Sequence, residues 1–556
     1  MASQKLRLRP WQRRALDIYQ SSDAADFLAV ATPGAGKTTF ALTVARLTLP
    51  ELPGRLVIVA PTRHLKEQWA EAAERFNLHL DSDWNPKEGL PTDVHGVVTT
   101  YQQIGSNPEA FIPVAADGFV VLDEVHHAGE ERSWGDGVRT AFEGAARRLS
   151  LSGTPFRSDT RSIPFVRYHH DAAVPDIEYG YGEALADGRV VRPVYFPRFG
   201  GHMEWMAPDG SELSASFDDP LARTQANQRL RAALSLEGEW LPTVLGHAHS
   251  QLMTVRERMP EAGGLVIAMD QEHAWAIAQL LRDRFRVNPI VAVSEDPQAS
   301  AKISTFAGGN APWIVAVRMV SEGVDIPRLR VGVYATTTTT ELFFRQAVGR
   351  IVRFMPGRGR QRAYLFMPDD PRLRHFGASI SESRRHLLKK KSDAETDEYP
   401  VEENEGLDEL TGPADEQMSL FAVLSATADN PDDLDVFADD EDDDFDPDDV
   451  AAAEDAEAPD ELTLDLDALP PADPNLVGRR VDRRARDRLR DRNTELVREL
   501  AVMTGRTHAN VNYELNRLSG VSKVASATVE QLERRAKAAE EWLGRNERRR
   551  NLDKFV

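Results

Sequence analysis

The sequence predicts an α/β chain with two parallel, helix-covered sheets in tandem, followed by a disordered acidic linker and a small all-α C-terminal domain. Three observations support this. Short apolar runs alternate with amphipathic helical patterns in two series, one from Ala2 to about Val194 and one over roughly 264–367, the pattern of parallel strands joined by crossover helices. Residues 392–475 hold 32 Asp or Glu and no Lys or Arg, a composition that cannot bury enough apolar surface to pack. Residues 476–556 then return to helical periodicity, with 20 Lys or Arg against 12 Asp or Glu. These patterns divide the chain into 1–198, 199–391, 392–475 and 476–556, and a length of 556 residues exceeds what one core holds.

In the first series, strands are expected near 27–31, 56–60, 96–99, 119–123 and 148–152. The first of them runs into Ala31-Thr-Pro33-Gly34-Ala35-Gly36-Lys37-Thr38-Thr39. A small-residue loop between strand and helix turns backbone N–H groups toward one point, where phosphate oxygens are held with help from the helix N-terminus. Lys37 is placed to reach the β- and γ-phosphates and the Thr38 hydroxyl to take a Mg²⁺ position, although Ala31 stands where the full pattern has Gly. The loop therefore points to a nucleoside triphosphate. A second apolar strand, Gly118–Leu122, ends in Asp123 and Glu124, 86 residues after Lys37. Adjacent acids are ordinarily a solvated turn. Downstream of such a loop, Asp123 suits a grip on Mg²⁺ and Glu124 the polarising of an attacking water.

A polar, Gly-containing stretch near 199–216 reads as a connection, with helical patterns over about 219–258. Strands resume at 264–269, 289–293, 313–317, 331–335 and 363–367. Three further blocks are Leu151-Ser-Gly-Thr-Pro-Phe-Arg157, Val320-Ser-Glu-Gly323-Val-Asp325-Ile-Pro327 and Gln346-Ala-Val-Gly-Arg350-Ile-Val-Arg353. The last places two arginines three residues apart, hence on one helical face. Lys37, Asp123 and Glu124 are expected on one wall of a cleft, with Arg350 and Arg353 reaching across from the other as arginine fingers.

With these blocks in order, residues 5–370 resemble the superfamily 2 helicases and translocases, whose two motor domains are RecA-like. The resemblance implies ATP and Mg²⁺ as cofactors and DNA as a partner. It makes Gln12 the adenine contact, Thr62, Arg63, Thr99, Thr100 and Tyr101 holders of a nucleic-acid backbone, and Gly323 and Asp325 the link between ATP and DNA movement. Asp-Glu-Val-His at 123–126 is more similar to DNA-directed branches than to RNA-unwinding ones. The Leu-Ser-Gly-Thr-Pro-Phe-Arg block resembles restriction-enzyme motor subunits and phage DNA-remodelling helicases. The implied activity is ATP-driven translocation or unwinding on duplex, branched or single-stranded DNA. An RNA helicase, or the motor of a restriction or phage-defence complex with a nuclease or methyltransferase partner, are the alternatives.

Composition narrows the rest. With no cysteine in the chain, disulfides, thiol catalysis and a cysteine-held iron–sulfur cluster are excluded. The basic N-terminus has no apolar signal core, and no run reaches the ~20 apolar residues of a membrane span, so the expected location is cytoplasmic. The net charge of −22 is local, since outside 392–475 there are 57 acids against all 67 basic residues. Within the acidic stretch, Gln417-Met-Ser-Leu420-Phe421 resembles the peptide by which bacterial replication and repair proteins dock on a sliding clamp. In the C-terminal module, eight arginines between Arg479 and Arg492 make a helix basic on nearly every face. Ala501, Gly505 and Val511 then stand at helix-turn-helix offsets. On that pattern Arg506, His508, Asn510 and Asn512 face a DNA groove, while a helical protein-interaction module is the rival reading.

Overall fold

A computed structural model of the chain describes residues 5–85, 93–129, 132–153, 162–169, 172–293, 296, 298–317, 326–359, 361–392, 422–429, 463–466, 468–472, 483–524 and 527–552. The first domain runs β1 (Lys5–Arg7), α1 (Pro10–Ser21), β2 (Asp26–Ala31), α2 (Lys37–Thr48), β3 (Leu56–Ala60), α3 (Arg63–Glu74), β4 (Leu80–Asp81), β5 (Gly96–Thr100) and α4 (Tyr101–Ser106). It continues through α5 (Ile112–Ala115), β6 (Phe119–Leu122), α6 (Arg132–Phe142), β7 (Arg147–Ser152), the short β8 (Tyr168–His169) and β9 (Ala172–Ala173), β10 (Ile177–Tyr179) and α7 (Tyr181–Ala186). Seven strands form one parallel sheet in the order β10-β2-β7-β6-β3-β5-β4. Its central strands are buried along their whole length, as their unbroken Val, Ile and Leu runs require when helices cover both faces.

The second domain contains β11 (Val194–Tyr195), β12 (Arg198–Phe199), β13 (Gly201–Met206), β14 (Glu212–Ser216), α8 (Arg223–Ala233), α9 (Trp240–Arg258), β15 (Gly263–Ala268), α10 (Gln271–Phe285) and β16 (Ile290–Ala292). Then come α11 (Ala299–Gly308), β17 (Trp313–Ala316), β18 (Leu329–Ala335), α12 (Glu341–Ile351), β19 (Ala363–Pro368) and α13 (Pro371–Ser392). Its parallel sheet has the order β11-β19-β18-β15-β17-β16, with β12 also on β19. The fold is thus two tandem RecA-like sheets, as expected. The chain leaves the first sheet after Tyr179 and enters the second at Val194, ahead of the expected division at 198. Among the described residues no helix is long and apolar enough to cross a membrane.

Two expectations are corrected here. The polar stretch 199–216 is a β-hairpin, because Met203 and Trp205 alternate inward onto α8 and α9 while His202 and Glu204 face solvent. The Trp205 indole N–H donates to Gln228 Oε1 at 3.0 Å, which anchors the buried face. The acidic stretch is also structured in two places. β20 (Ala422–Ala428) pairs antiparallel with β13 of the second domain, and β21 (Thr463–Asp465) pairs antiparallel with β1 of the first. Leu466 and Ala472 then enter the first domain's core, and Arg46 donates to Leu469 O at 3.2 Å. β20 carries no charged residue, so an average over 392–475 conceals it. Gln417, Leu420 and Phe421 lie outside the described residues.

The C-terminal helices α14 (Arg483–Thr504), α15 (His508–Ser519) and α16 (Val529–Leu552) pack around Leu496, Leu500, Val511, Leu515 and Ala539. Gly505 takes φ +67° between α14 and α15, a turn that favours glycine. The arginine-rich helix is not a free basic surface. Arg486 is buried against Asp93 of the first domain, Arg490 reaches Asp81 at 3.3 Å, and Asp93 also accepts the Val529 backbone N–H at 3.0 Å. Asp93 thereby caps the start of α16 and ties the bundle to the edge of the first sheet. Truncating Arg486→Ala leaves Asp93 buried with its charge uncompensated, at a cost of about 3–5 kcal/mol. The expected result is a lower urea midpoint and proteolytic release of the C-terminal helices, while a surface control such as Arg534→Ala is unchanged.

Candidate nucleotide site

The phosphate loop begins where β2 ends and closes at the N-terminus of α2. Gly34 and Gly36 have φ +84° and +89°, a conformation that a side chain would strain. Three consecutive loop carbonyls are bound by the start of α1. Arg9 Nη1 donates to Gly34 O at 2.9 Å, Trp11 Nε1 to Ala35 O at 3.0 Å, and Gln12 Nε2 to Gly36 O at 2.9 Å. With those carbonyls held, the loop presents amide donors and Lys37 to an anion. Pro33 lies in the loop itself, while Thr38 and Thr39 share the first turn of α2 with Lys37, which donates to Ala31 O at 3.2 Å.

Gln12 therefore sits differently from the adenine contact implied by resemblance. It is 2 % exposed, and its Oε1 accepts the Arg9 backbone N–H at 2.8 Å. Both ends of its amide bind protein backbone, so it braces the phosphate loop.

The carboxylates stand at the end of β6. Asp123 is buried, and its Oδ2 accepts the Trp69 indole N–H at 2.7 Å while Tyr101 Oη donates to its carbonyl at 2.9 Å. Glu124 turns out of the strand with φ +44°, a non-glycine conformation costing about 1–3 kcal/mol. The strain aims its carboxylate at the loop. Oε1 lies 3.0 Å from Lys37 Nζ, Oε2 accepts the Gly153 N–H at 2.9 Å, and His126 Nδ1 is 3.7 Å from Oε2. Burial and then the adjacent Glu124 charge push Asp123 up to about 6. Burial also works against the Glu124 charge, but Lys37, His126 and the Gly153 amide outweigh it and bring Glu124 down to about 2.

The donor set fits a hard divalent cation. Thr38 and Asp123 offer oxygen only, and among the described residues no three His, Asp or Glu cluster into a protein-only metal cage. Mg²⁺ is held by few protein oxygens together with phosphate and water.

The second domain closes on this site through α12. Gly349 faces Pro33 so closely that an added Cβ would lie 2.5 Å from Pro33 Cγ. Gln346 Nε2 is 3.2 Å from His126 Nε2, joining the two domains beside Glu124. Arg350 is half-buried in the last turn of α12. Arg353 lies past the helix end, so the expectation of one shared helical face is corrected. An antiparallel bridge to Val191 fixes it, and its Cγ runs 3.8 Å from where a Gly34 Cβ would stand.

The nucleic-acid candidates divide. Thr62 caps α3 by accepting the Leu65 N–H at 3.4 Å, with Arg63 exposed beside it. Thr99, Thr100 and Tyr101 are buried: Thr99 Oγ1 donates to Gln103 Oε1 at 3.1 Å, Thr100 caps α4, and Tyr101 supports Asp123. Of the three, only Tyr101 is hydrogen-bonded to a residue of the site, while Thr99 and Thr100 secure the start of α4. Arg506 lies over the Trp542 ring and, like His508 and Asn510, is exposed. Asn512 turns inward, where its Oδ1 accepts from Arg535 at 2.5 Å. Gly323 and Asp325 lie outside the described residues. Sequence reasoning missed Arg9, Trp11 and Trp69, whose spacing reads only as helix surface and helix core.

Residues 5–157 match the family model described as Type III restriction enzyme, res subunit. Over 391 residues the chain is 46% identical to an uncharacterized protein of Mycobacterium tuberculosis, covering 68% of this chain and 64% of that protein. The chain thus spans under two thirds of that relative's length. It is 25% identical over 372 residues to the DNA 3'-5' translocase XPB2 of Sulfurisphaera tokodaii, covering 63% of this chain and 79% of that protein. A putative HsdR subunit of a type I restriction enzyme from Vibrio vulnificus aligns with a TM-score of 0.47 at 16% identity, over 66% of this chain and 65% of that one. The match over residues 5–157 and the motif order make this chain similar to the superfamily 2 helicase-like family. Restriction-enzyme motor subunits belong to the same family.

Two outcomes test this geometry. Gln12→Ala should weaken binding of ATP, GTP and CTP alike, since it loosens the loop, and a selective loss for ATP in equilibrium binding would return Gln12 to the base. Gly349→Ala should abolish ATP turnover and leave the thermal midpoint unchanged or lowered, because the ~1 kcal/mol that alanine gives the helix is offset by the collision with Pro33.

Proposed function

We propose that this chain is an ATP-dependent DNA translocase or helicase, acting on duplex or branched DNA in replication, repair or recombination. The observation that carries the reading is the convergence at Glu124: Lys37 and the Gly153 amide hold it from one domain, while Gln346 touches its neighbour His126 from the other. An acid strained toward a phosphate loop, with an arginine-bearing helix closing over it, is an arrangement for orienting water at a γ-phosphate.

Lys37 is paired to Glu124 at 3.0 Å. A γ-phosphate competes for Lys37 and frees Glu124 to accept a proton from the attacking water. The loop amides and Lys37 bind the phosphates, and Trp69 and Tyr101 keep Asp123 in place. Thr38 and Asp123 would hold Mg²⁺, which supplies positive charge against the phosphate oxygens. Arg350 and Arg353 bring positive charge from the second domain as the transition state develops. Hydrolysis removes what both domains grip, so the cleft opens, and nucleic acid lying across Thr62 and Arg63 and the second domain is advanced.

DNA is preferred as the track because of the Asp-Glu-Val-His form and the similarity to a DNA translocase. Arg506, His508 and Asn510 are the C-terminal residues available to a nucleic-acid backbone. A second reading, the motor subunit of a restriction or phage-defence complex, is favoured by the match of residues 5–157. Co-purification with a nuclease or methyltransferase separates it from the first.

The deciding experiment measures ATP turnover with duplex DNA, single-stranded DNA and structured RNA, using the full chain and Glu124→Gln. Stimulation by DNA above RNA is expected, with Glu124→Gln slowing turnover about 10²–10⁴-fold while retaining ATP binding. DNA-stimulated turnover surviving in Glu124→Gln would remove Glu124 from the chemistry.

A further inference from the structure

The connector between the sheets, residues 188–193, touches the phosphate loop on one side and the end of α12 on the other. Val190 O lies 3.8 Å from where a Gly34 Cβ would stand, and the same carbonyl accepts the Phe354 N–H at 3.2 Å. Val191 bridges Arg353, and the Arg192 N–H donates to Val352 O at 2.6 Å. The backbone that holds Arg353 is therefore the connector itself.

The Arg192 side chain extends this attachment in another direction. It is 1 % exposed, and its guanidinium donates from Nη1 to Leu329 O at 3.1 Å and from Nη2 to Pro327 O at 2.8 Å. Pro327 closes the Val320–Pro327 block, and Leu329 opens β18. Burial, and then Arg330 nearby, act against the charge at this position. An aliphatic side chain would fill the same space without that penalty. What only arginine supplies is a planar fork able to hold two carbonyls at once.

We propose that Arg192 is a positioning residue for ATP hydrolysis, joining the connector, the exit of the Val320–Pro327 block and the Arg353 backbone into one unit that domain closure delivers to the phosphates together. The inference rests on the motor reading above. Among the described residues the Arg192 side-chain hydrogen bonds go to Leu329 O and Pro327 O and not to the phosphate loop, so its loss acts on turnover and spares ATP capture by the loop. A side chain that merely fills the core would instead change stability and every activity in the same proportion.

The test compares the full chain with Arg192→Lys and Arg192→Met. Three quantities are read: nucleic-acid-stimulated kcat per nucleotide-binding site, KM for ATP, and equilibrium ATP affinity in a Glu124→Gln background. The expected result is a kcat lower by about 10- to 100-fold, with ATP affinity within about twofold of the unsubstituted chain. Lysine should rescue the thermal midpoint better than it rescues kcat, because one ammonium cannot span both carbonyls. An unchanged kcat per site overturns the inference, as does a loss of kcat and ATP affinity in parallel with the folded fraction. A chain with no nucleic-acid-stimulated turnover before any substitution overturns the motor reading itself.

Discussion

The rest of this molecule depends on one close approach, that of Gly349 in α12 to Pro33 in the phosphate loop. Two sheets joined by a short connector could sit in many relative positions. Contact at glycine lets the backbone of one domain lie against the loop of the other, which brings Gln346 to His126 and runs Arg353 past Gly34. One apolar core supports this arrangement. It extends from Trp11 and Phe40 in the first domain through Val190 and Val191 of the connector to Phe344 and Ile351 in the second. Close packing of this kind transmits displacement between the domains instead of absorbing it.

Electrostatics sharpen the site that packing assembles. Asp123 and Glu124 are adjacent in sequence yet pushed apart in acidity, to about 6 and about 2. Burial and its neighbour's charge both raise Asp123, whereas at Glu124 burial is outweighed by Lys37, His126 and the Gly153 amide together. The left-handed backbone at Glu124 makes this separation possible, since an extended residue would direct its side chain to the opposite face of the sheet. Buried charge is used elsewhere as a fastening. Arg192 secures the connector to two carbonyls, and Arg486 secures the C-terminal bundle to Asp93.

The segment after α13 gains a structural role from these attachments. β20 belongs to the second domain's hairpin sheet, while β21 and the C-terminal helices belong to the first domain. The chain therefore passes from the first domain to the second at the connector and is back at the first by β21, with residues 430–462 between β20 and β21. Those residues hold 17 acids and no basic residue. β-strand addition needs only backbone donors and acceptors with a few apolar contacts, which explains how two short strands form inside a stretch so dominated by charge.

Much of the fold and the layout of the candidate site was legible in the amino-acid order, because both are written in local patterns. Buried parallel strands require continuous apolar runs, a phosphate loop requires glycines at positive φ, and the acid pair stands at the end of an apolar strand. The alternation of strand and helix, Lys37, Asp123 and Glu124 all follow from that. Other features depended on residues far apart meeting in space. Gln12, Thr99, Thr100 and Tyr101 have surface-compatible chemistry, and only folding buries Gln12 against the phosphate loop, Thr99 and Thr100 at the start of α4, and Tyr101 against Asp123. Trp69 reads as helix core until its indole meets Asp123 across 54 positions. Arg486 reads as one of eight basic residues until Asp93, 393 positions away, takes it out of solvent. Local sequence determined which groups could do the chemistry. The three-dimensional packing decided which would face a ligand and which would hold the others in place, because burial and hydrogen-bond partnership are properties of pairs that the chain brings together only on folding.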